Sequence, residues 1–348
     1  MLNKYKLISL CIILAGCTGS HSDYYLDFKK YSFTKADLII DANLDKQIAF
    51  PSFVRTAGDY FLVYDGQIGK IHKFNYHGDK LMSFGNKGRG PGEFQSVTNY
   101  WIMDDAFLFY DYNAAKLVYY NFQGSFVSEK PIKKEHLSLS NAMLSDNRFV
   151  LPANGENGAL LKVVDYRTDD VFYLGRGYGD VVRPNAKTIR DLIKRTNRIS
   201  EFFYNKVTVD AIGSDIYIVQ NVTGKLQKYS IDEGLIWEMS IKIPSQEVLF
   251  DNYKEELFGQ NRYLPDLRYA EGIQATDQGV AVLLNTPENE PVTIVWITSD
   301  GKQGLIIEYP TIEIPKNFLP RFRLAPEVGE VIFVNSLDGK VLKAEWPF

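Results

Sequence analysis

The stretch YFLVYDGQIGKIHKFNYHGDKLMSFGNKGRGPGEF occupies residues 60–94. It begins with an aromatic and aliphatic run, Tyr60–Asp65, which is followed by a polar turn and a second apolar run. A tight turn at Gly78 leads into a third run, and a glycine-rich segment, Gly85–Phe94, closes the stretch. Short runs rich in aromatic and β-branched residues, separated by turns that contain glycine, predict β-strands rather than helices.

The same unit of strand, polar turn, strand and tight turn recurs along the chain. Its five later copies begin at FLFYDY (Phe107–Tyr112), RFVLPA (Arg148–Ala153), DIYIVQ (Asp215–Gln220), GVAVLL (Gly279–Leu284) and EVIFVN (Glu330–Asn335). A shorter apolar segment precedes each copy, so the complete unit has four strands. Four-stranded repeats of about 40 to 50 residues are typical of the blades of a β-propeller.

Six copies predict six blades, but the sixth lacks a fourth strand because the sequence ends at Phe348. The apolar segment ADLIID, Ala36–Asp41, is left over near the other end. Pairing it with the last blade would close the ring and remove an exposed sheet edge. A β-sandwich would not explain six copies and one complementary remainder. We therefore predict an all-β fold: a single six-bladed β-propeller over residues 32–348, closed by an N-terminal strand.

The glycine-rich segment is a candidate phosphate loop or a structural connector. Its central residues are Gly88, Arg89, Gly90, Pro91, Gly92 and Glu93. They match neither G-x-G-x-x-G nor the Walker pattern, in which a lysine would stand at Pro91. A partial copy, Gly175–Asp180, follows the fourth strand of a later blade. We interpret the segment as a connector in which the glycines permit positive φ, Pro91 stiffens the bend, and Arg89 and Glu93 anchor blade to blade.

The hairpin pattern YDxxxG before this connector, with GxxGxGPGEF after the strand, resembles the NHL-type and TolB-like six-bladed propellers. The chain looks most similar to a family of six-bladed propeller lipoproteins common in gut-type Gram-negative bacteria. This resemblance covers the whole mature chain as architecture and implies the propeller fold. A fold hosts many functions, so the resemblance implies no particular activity.

The first residues resemble the export signal of a bacterial lipoprotein. Lys4 and Lys6 precede the apolar run LISLCIIL, and LAGC, Leu14–Cys17, is similar to a lipobox. Eight apolar residues are too few for a permanent spanning helix, which needs about 20. The resemblance implies a signal peptide over residues 1–16, acylation of Cys17 after cleavage, and a tether over residues 17–31. We expect an anchor in the outer membrane, facing the periplasm, since no acidic cluster follows Cys17.

The charge balance argues against nucleic-acid binding. Without Lys4 and Lys6, the 39 basic residues become 37 against 43 acidic ones, a net charge of 37 − 43 = −6. Proteins that bind nucleic acids usually carry a basic excess. No cysteine follows Cys17, so we expect the exported domain to be held together by its core and not by disulfides.

Two long insertions, residues 177–206 and 244–272, follow the fourth strands of their blades. Because strands alternate in direction, the loops after second and fourth strands open on one face, together with both glycine-rich connectors. Long loops confined to one face predict a binding surface around the mouth of the channel. In the first insertion, apolar residues repeat at helical spacing after Asn185, whose side chain suits an N-cap.

The first insertion is locally basic, with eight basic and three acidic residues from Arg176 to Lys206. The residues that we predict to contact a ligand are Arg176, Arg190, Lys194 and Arg198 here, and Arg262, Tyr263, Arg268 and Tyr269 in the second insertion. A basic rim would attract an acidic glycan or a carboxylate-bearing peptide, and flat rings with flanking donors suit both. The alternative is a solvated helix face, or one paired with the acidic second insertion.

We therefore predict a lipid-anchored module that binds a glycan, a peptide or an envelope protein, without catalytic residues or a required cofactor. Two alternatives stay open: a structural docking platform in an envelope complex, and a metal-dependent lactonase or lyase at the channel mouth. The latter needs clustered donors, yet the chain has only His21, His72, His77 and His136. Calcium is the ion to expect if one binds, and the first-strand positions to inspect for it are Asn99, Asn141 and Asp210.

Overall fold

We analysed a computed structural model, which describes residues 28–45, 48–144, 148–179, 183–259, 267–287, 289–310 and 321–348. The predicted signal peptide, the predicted lipidation site Cys17 and the predicted ligand-binding residues Arg262 and Tyr263 lie outside these ranges. Inside them, no helix is both long and apolar enough to cross a bilayer.

The described residues form mostly strands. These are β1 (Lys29–Ser32), β2 (Asp37–Asp41), β3 (Pro51–Ala57), β4 (Tyr60–Asp65), β5 (Lys70–Asn75), β6 (Lys80–Phe84), β7 (Val97–Ile102), β8 (Ala106–Asp111), β9 (Lys116–Asn121), β10 (Phe126–Pro131), β11 (Ala142–Met143), β12 (Arg148–Pro152), β13 (Ala159–Asp165), β14 (Val171–Arg176), β15 (Val207–Ile212), β16 (Asp215–Gln220), β17 (Lys225–Ser230), β18 (Gly234–Ser240), β19 (Ala270–Thr276), β20 (Gly279–Leu284), β21 (Val292–Thr298), β22 (Gly304–Tyr309), β23 (Arg321–Ala325), β24 (Glu330–Asn335) and β25 (Lys340–Glu345). The α-helices are α1 (Ala42–Asp45), α2 (Ala186–Thr196) and α3 (Glu247–Gly259).

The strands are organised in six sheets, and each contains one sequence repeat. Their strand orders are β3-β4-β5-β6, β7-β8-β9-β10, β11-β12-β13-β14, β15-β16-β17-β18, β1-β22-β21-β20-β19 and β2-β25-β24-β23. Within a repeat, consecutive strands are neighbours and antiparallel. These sheets are the blades of a six-bladed β-propeller, and the fold predicted from the repeats is confirmed.

The apolar pattern of each strand reflects its place in the blade. All six residues of β8, AFLFYD, are buried, as are the last five residues of β4. A strand buried on both faces reads as a continuous apolar run rather than an alternating one. The outer strand β10, FVSEKP, is almost entirely exposed. The continuous runs that defined the repeat are therefore the second strands of the blades, which are covered on both faces.

The N-terminal strand completes the last blade, as predicted from the leftover segment. β2 runs antiparallel to β25, with Asp37 opposite Lys343 and Asp41 opposite Lys340. Ile40 of β2 is buried in an apolar cluster that includes Val341. The opposite charges at the two ends of the pair and the buried centre both favour this register.

A second N-terminal strand was not predicted. β1 pairs in parallel with β22, the outer strand of its blade, with Lys29 opposite Leu305 and Ser32 opposite Glu308. Lys30 forms an ion pair with Glu308 at 2.6 Å. The tether was expected to extend to Tyr31, but its last three residues belong to this strand. The pairing covers a sheet edge that would otherwise be open.

The contacts divide the described chain into two compact units. The first unit comprises residues 28–32 and 140–308, and the second comprises residues 33–139 and 309–348. The first unit contains the blades β11–β14, β15–β18 and β19–β22, and it also contains α2 and α3. The second unit contains the blades β3–β6 and β7–β10 and the blade that β2 completes.

Candidate functional site

The first insertion forms α2 and a short 3-10 turn, Glu201–Asn205, in the first unit. The predicted N-cap is confirmed, since Asn185 Oδ1 accepts a hydrogen bond from the Thr188 N–H at 2.9 Å. Asn197 ends the helix in the left-handed conformation, which asparagine tolerates better than most residues. The buried face of the helix carries Ile189 and Ile193.

Helix α2 packs against α3, the helix of the second insertion. Their shared apolar cluster consists of Ile189, Ile193, Ile199, Phe202, Phe203, Val222, Tyr253, Leu257, Leu267 and Tyr269. The Arg190 Nε donates to the Leu257 carbonyl at 2.9 Å, and Lys254 Nζ donates to Asn197 Oδ1 at 3.1 Å. Each helix thus places a cation on the C-terminal end of the other, where the partial charge is negative. The insertions form one packed layer.

The predicted basic rim has two parts with different roles. Arg190 is bound to α3 as described, and Lys194 Nζ lies 5.4 Å from the centre of the Phe258 ring. These two residues therefore join the helices. Arg176 and Arg198 are exposed. Further exposed basic residues in this insertion are Arg183, Lys187 and Arg195.

A groove of about 520 Å³ lies beside Arg176. It is lined by Ala153, Asn154, Gly155, Glu156, Asn157, Gly158 and Gly179. Most of the lining is the loop between β12 and β13, in which Asn154 and Asn157 have φ of 53° and 52°. Non-glycine residues in this conformation are uncommon and occur often at functional sites. The loop presents amide side chains, a carboxylate and backbone groups to solvent.

Two basic residues border this groove. Arg176 lies opposite Ala159 in the strand pair, and the next N–H, of Gly177, donates to the Gly158 carbonyl at 2.7 Å. The Lys206 Nζ donates to Asn154 Oδ1 at 3.2 Å. The ammonium of Lys206 therefore lies on the loop that forms the groove, and the backbone of Arg176 lies beside the end of that loop.

The carboxylate of Glu156 is oriented by its neighbours. The Tyr173 hydroxyl donates to Glu156 Oε1 at 2.5 Å, and Lys162 Nζ lies 3.5 Å from the same oxygen. The Glu156 side chain remains half exposed. This acceptor is therefore held in place by two partners and is still accessible from solvent.

The connector that supplies Gly179 is fixed by the fully buried Asn205. Asn205 Oδ1 accepts from the Tyr178 N–H at 2.8 Å, and its Nδ2 donates to the Tyr178 carbonyl at 2.7 Å. The rings of Tyr178 and Tyr204 meet edge to face, with centroids 5.5 Å apart. Both tyrosines are half-buried. The connector that supplies Gly179 is therefore held by Asn205, a side chain that the sequence prediction did not name.

Of the two described ligand candidates in the second insertion, Tyr269 has a structural role. Tyr269 is buried; its N–H donates to the Asn221 carbonyl at 2.7 Å, and its carbonyl accepts from Gln246 Nε2 at 2.6 Å. Lys242 Nζ lies 3.8 Å from the centre of the Tyr269 ring. Arg268 is exposed, and its Nη1 lies 3.9 Å from Glu271 Oε2. Tyr269 joins the insertion to the blades and is not a surface ring.

Two of the positions proposed for calcium, Asn99 and Asp210, already accept hydrogen bonds from donors of the protein. In the second unit, Asn99 Oδ1 accepts from Arg55 Nη2 at 2.7 Å and from the Tyr100 N–H at 2.9 Å. In the first unit, both carboxylate oxygens of Asp210 accept backbone N–H groups, from Ala211 at 3.0 Å and from Ala275 at 3.1 Å. The third position, Asn141, is buried. Calcium needs six to eight oxygen ligands, and the described ranges contain no group of three His, Cys, Asp or Glu that could hold a metal.

Two of the histidines are buried and serve as structural partners. His72 lies on β5, where its Nδ1 is 2.8 Å from Ser83 Oγ and its Nε2 is 3.8 Å from Asp65 Oδ2. Burial alone would raise the pKa of Asp65, but His72 and the backbone N–H groups of Ala49, Ile68 and Gln67 lower it below its usual value. The backbone carbonyl of His136 is 3.4 Å from the Tyr110 hydroxyl.

The glycine-rich connector of the second unit is bound to the next blade. Lys116 Nζ donates to the Gly90 carbonyl at 3.2 Å and forms an ion pair with Glu129 at 2.7 Å. Glu129 also accepts a hydrogen bond from the Gly92 N–H at 3.2 Å, and the Tyr120 hydroxyl donates to the Gly92 carbonyl. These contacts fix the bend that the chain makes directly after β6.

Glu93 and Arg89 differ in their roles within this connector. Glu93 Oε2 accepts a hydrogen bond from the Gly90 N–H at 2.8 Å. A Cβ on Gly88 would lie only 1.9 Å from this oxygen, so a larger residue at position 88 would have to displace the Glu93 carboxylate. Arg89 is exposed and has no hydrogen bond or ion pair with any residue in the described ranges. The blade-to-blade anchoring expected of Arg89 is therefore provided by Lys116 and Glu129.

Comparison with known proteins supports the fold. A family model described as a six-bladed β-propeller matches residues 40–150. A candidate exported protein from Bacteroides fragilis superposes with a TM-score of 0.54 at 12% identity, covering 90% of this chain and 98% of that one. An inactive virginiamycin B lyase from Staphylococcus aureus, solved with quinupristin, has a TM-score of 0.44 at 14% identity, covering 86% and 82%. No curated protein matches the sequence. At 12% identity, the match to the exported protein shows similarity of fold alone, so the function of this chain has to be argued from the site.

Proposed function

We propose that the protein is an exported, lipid-anchored propeller whose first unit binds an acidic glycan in the groove beside Arg176. The observation that carries this proposal is the combination, in one groove, of accessible amide and carboxylate acceptors with Arg176 and Lys206 at its border. Hydroxyl groups of a sugar pair with amides and carboxylates, and its acidic groups pair with cations.

The shape of the site favours a glycan over a peptide strand. The lining comes mostly from a turn-rich loop, Ala153–Gly158, and not from a strand, whereas a peptide that adds to a sheet pairs with a strand edge. A volume of about 520 Å³ falls in the range of small-ligand pockets and accommodates a few sugar rings.

The glycan proposal predicts a specific loss when Arg176 is replaced. Arg176→Ala should weaken binding of a uronic-acid oligosaccharide about tenfold, corresponding to about 1.4 kcal/mol for one charge-assisted contact. Isothermal titration calorimetry on the purified protein measures this loss. Lys302→Ala is the matched control, because Lys302 is an exposed cation of the same unit on the β21–β22 turn; its affinity should be unchanged.

The ligand class is tested in the same experiment. A neutral oligosaccharide of equal length should bind more weakly than the uronic-acid form, since it lacks the groups that pair with Arg176. An acidic peptide that bound as tightly as the uronide, or a uronide affinity untouched by Arg176→Ala, would contradict the proposal.

The anchor proposal predicts a change of cell fraction. Replacing Cys17 by serine removes the thiol that receives the lipid, so the protein should move from the membrane fraction to the soluble fraction. Fractionation with labelling by a radioactive fatty acid checks this. The apolar run LISLCIIL should remain uncleaved in part, since the lipobox is altered. Labelled Cys17→Ser protein would show that Cys17 is not the modified residue.

A further inference from the structure

The first strands of the second unit carry an unusual charge. These strands are β3, β7 and β23, which begin their blades and lie at the edge of each sheet; β3 contacts both β23 and β7. Their sequences, PSFVRTA, VTNYWI and RFRLA, contain three arginines and no acidic residue. In a protein with an acidic net charge, this is a local concentration of positive charge.

Arg321 is the arginine of the three for which the described ranges contain no hydrogen-bond partner. Its guanidinium lies 3.6 Å from the centre of the Phe53 ring. It forms neither an ion pair nor a hydrogen bond within the described ranges, and its side chain is accessible from solvent. Protein atoms nevertheless replace part of the water around the guanidinium, and this desolvation lowers the pKa of Arg321 to about 10. A cation that loses water without gaining a partner is destabilised, and the stacking on Phe53 offsets only part of that cost.

Arg55 adds a second fixed charge on the same surface. It follows Phe53 by two residues in β3, so both side chains extend from one face of the strand. Its Nε donates to the Tyr100 carbonyl at 2.8 Å, and its Nη2 donates to Asn99 Oδ1 at 2.7 Å. Both acceptors are neutral. They therefore fix the orientation of the guanidinium and leave its charge uncompensated.

The third arginine lies close to the second. Arg323 follows Arg321 by two residues in β23, and its Nη1 is 3.4 Å from the Phe322 carbonyl. Burial raises the pKa of Tyr100, and the charges of Arg55 and Arg323 both act in the opposite direction on the same hydroxyl. The guanidinium groups of Arg55, on β3, and Arg323, on β23, therefore both lie near the Tyr100 hydroxyl. Arg321 is two residues from Arg323 on the same strand.

We propose that this surface, defined by Arg55, Arg321 and Arg323, binds an oxyanion, with Arg321 as the residue that contacts it. The planar guanidinium presents paired N–H groups that match a carboxylate or a phosphate group, and Arg55 adds long-range attraction. The site belongs to the second unit and shares no residue with the proposed glycan groove, so each can fail without the other.

The test is anion titration of the purified full-length protein. Citrate and inorganic phosphate are the two probes, with chloride at matched ionic strength as the reference, and calorimetry measures the affinity. Arg321→Gln should weaken binding of the preferred probe at least tenfold. Arg89→Gln is the matched control, because Arg89 is an exposed arginine of the same unit without described partners; it should bind like the wild type.

A second readout separates anion binding from a structural role. Without an added anion, Arg321→Gln should be at least as stable as the wild type, because an uncompensated charge has been removed. With citrate or phosphate, the thermal midpoint of the wild type should rise and that of Arg321→Gln should not. The preferred probe distinguishes an organic carboxylate from a phosphate. Binding of neither probe above chloride, or equal binding by Arg321→Gln, would overturn the proposal.

Discussion

Replacing Gly69 by alanine is expected to lower the free energy of unfolding by about 3 kcal/mol or more. Gly69 ends the YDGQIG turn with φ of +68°, and a Cβ there would stand 2.6 Å from the backbone N and Cα of Lys87. The left-handed conformation alone costs alanine about 1 kcal/mol, and forcing apart two backbone segments adds about 1–3 kcal/mol. The Lys87 N–H bond to the Ile68 carbonyl at 3.1 Å keeps the connector in place. Urea unfolding followed by circular dichroism measures the loss.

Gly58 provides a control in the same unit. It lies in the β3–β4 turn with φ of +50°, and a Cβ there would meet nothing within 4 Å. Gly58→Ala should therefore cost only the backbone part, about 1 kcal/mol. Equal losses in the two variants would show that the close approach of the connector to Gly69 contributes nothing.

Replacing Asp65 by asparagine is expected to cost about 3 kcal/mol at neutral pH. Asp65 is fully buried, and its carboxylate accepts from the N–H groups of Ala49 at 2.6 Å, Gln67 at 3.0 Å and Phe50 at 3.2 Å. Hydrogen bonds to a charged acceptor contribute about 1.5–3 kcal/mol, and an amide NH₂ would face some of these donors without accepting. Asp59→Asn, an exposed substitution in the same unit, should change stability by less than about 0.5 kcal/mol.

The same carboxylate predicts how stability depends on pH. The folded-state pKa of Asp65 is lowered, whereas the unfolded-state value is about 3.9. Its contribution is therefore fully present above about pH 5, and it is lost as the pH falls below about 4 through the folded-state pKa. The difference in unfolding free energy between the wild type and Asp65→Asn should shrink over that acid range. A difference that stayed constant from pH 7 to the acid limit would contradict this assignment.

The fold was predictable because a propeller repeats its burial pattern. The second strand of a blade is covered on both faces, so runs such as FLFY in β8 stand out without any knowledge of the partner strand. The closing strand β2 was predictable for the same reason, as an apolar remainder. β1 was not, because Lys29–Ser32 is short and polar; its stability comes from backbone pairing and from Glu308, far away in sequence.

The candidate site was less predictable, because its contacts join distant residues. Asn185 predicted the start of α2, because an asparagine before a helical pattern is a local N-cap signal. Nothing in the sequence shows that Arg190 binds the Leu257 carbonyl. The calcium hypothesis for Asn99 depended likewise on the unseen Arg55. One signal was available and unused: the loop 154–158 reads NGENG, and such Asn-Gly pairs mark positive φ and exposed polar backbone.

The pairing of β2 with β25 has a consequence for how the chain matures. The second unit draws its strands from residues 33–139 and again from 309–348, and Asp37 has to meet Lys343. Contacts between such distant residues form late, because a long loop must close before they gain any stabilisation. The last blade cannot be completed before β25 has been synthesised, so a nascent chain keeps one blade open until then. Such a delay suits the export proposed above, because a chain that must thread through a narrow translocation pore has to arrive there unfolded.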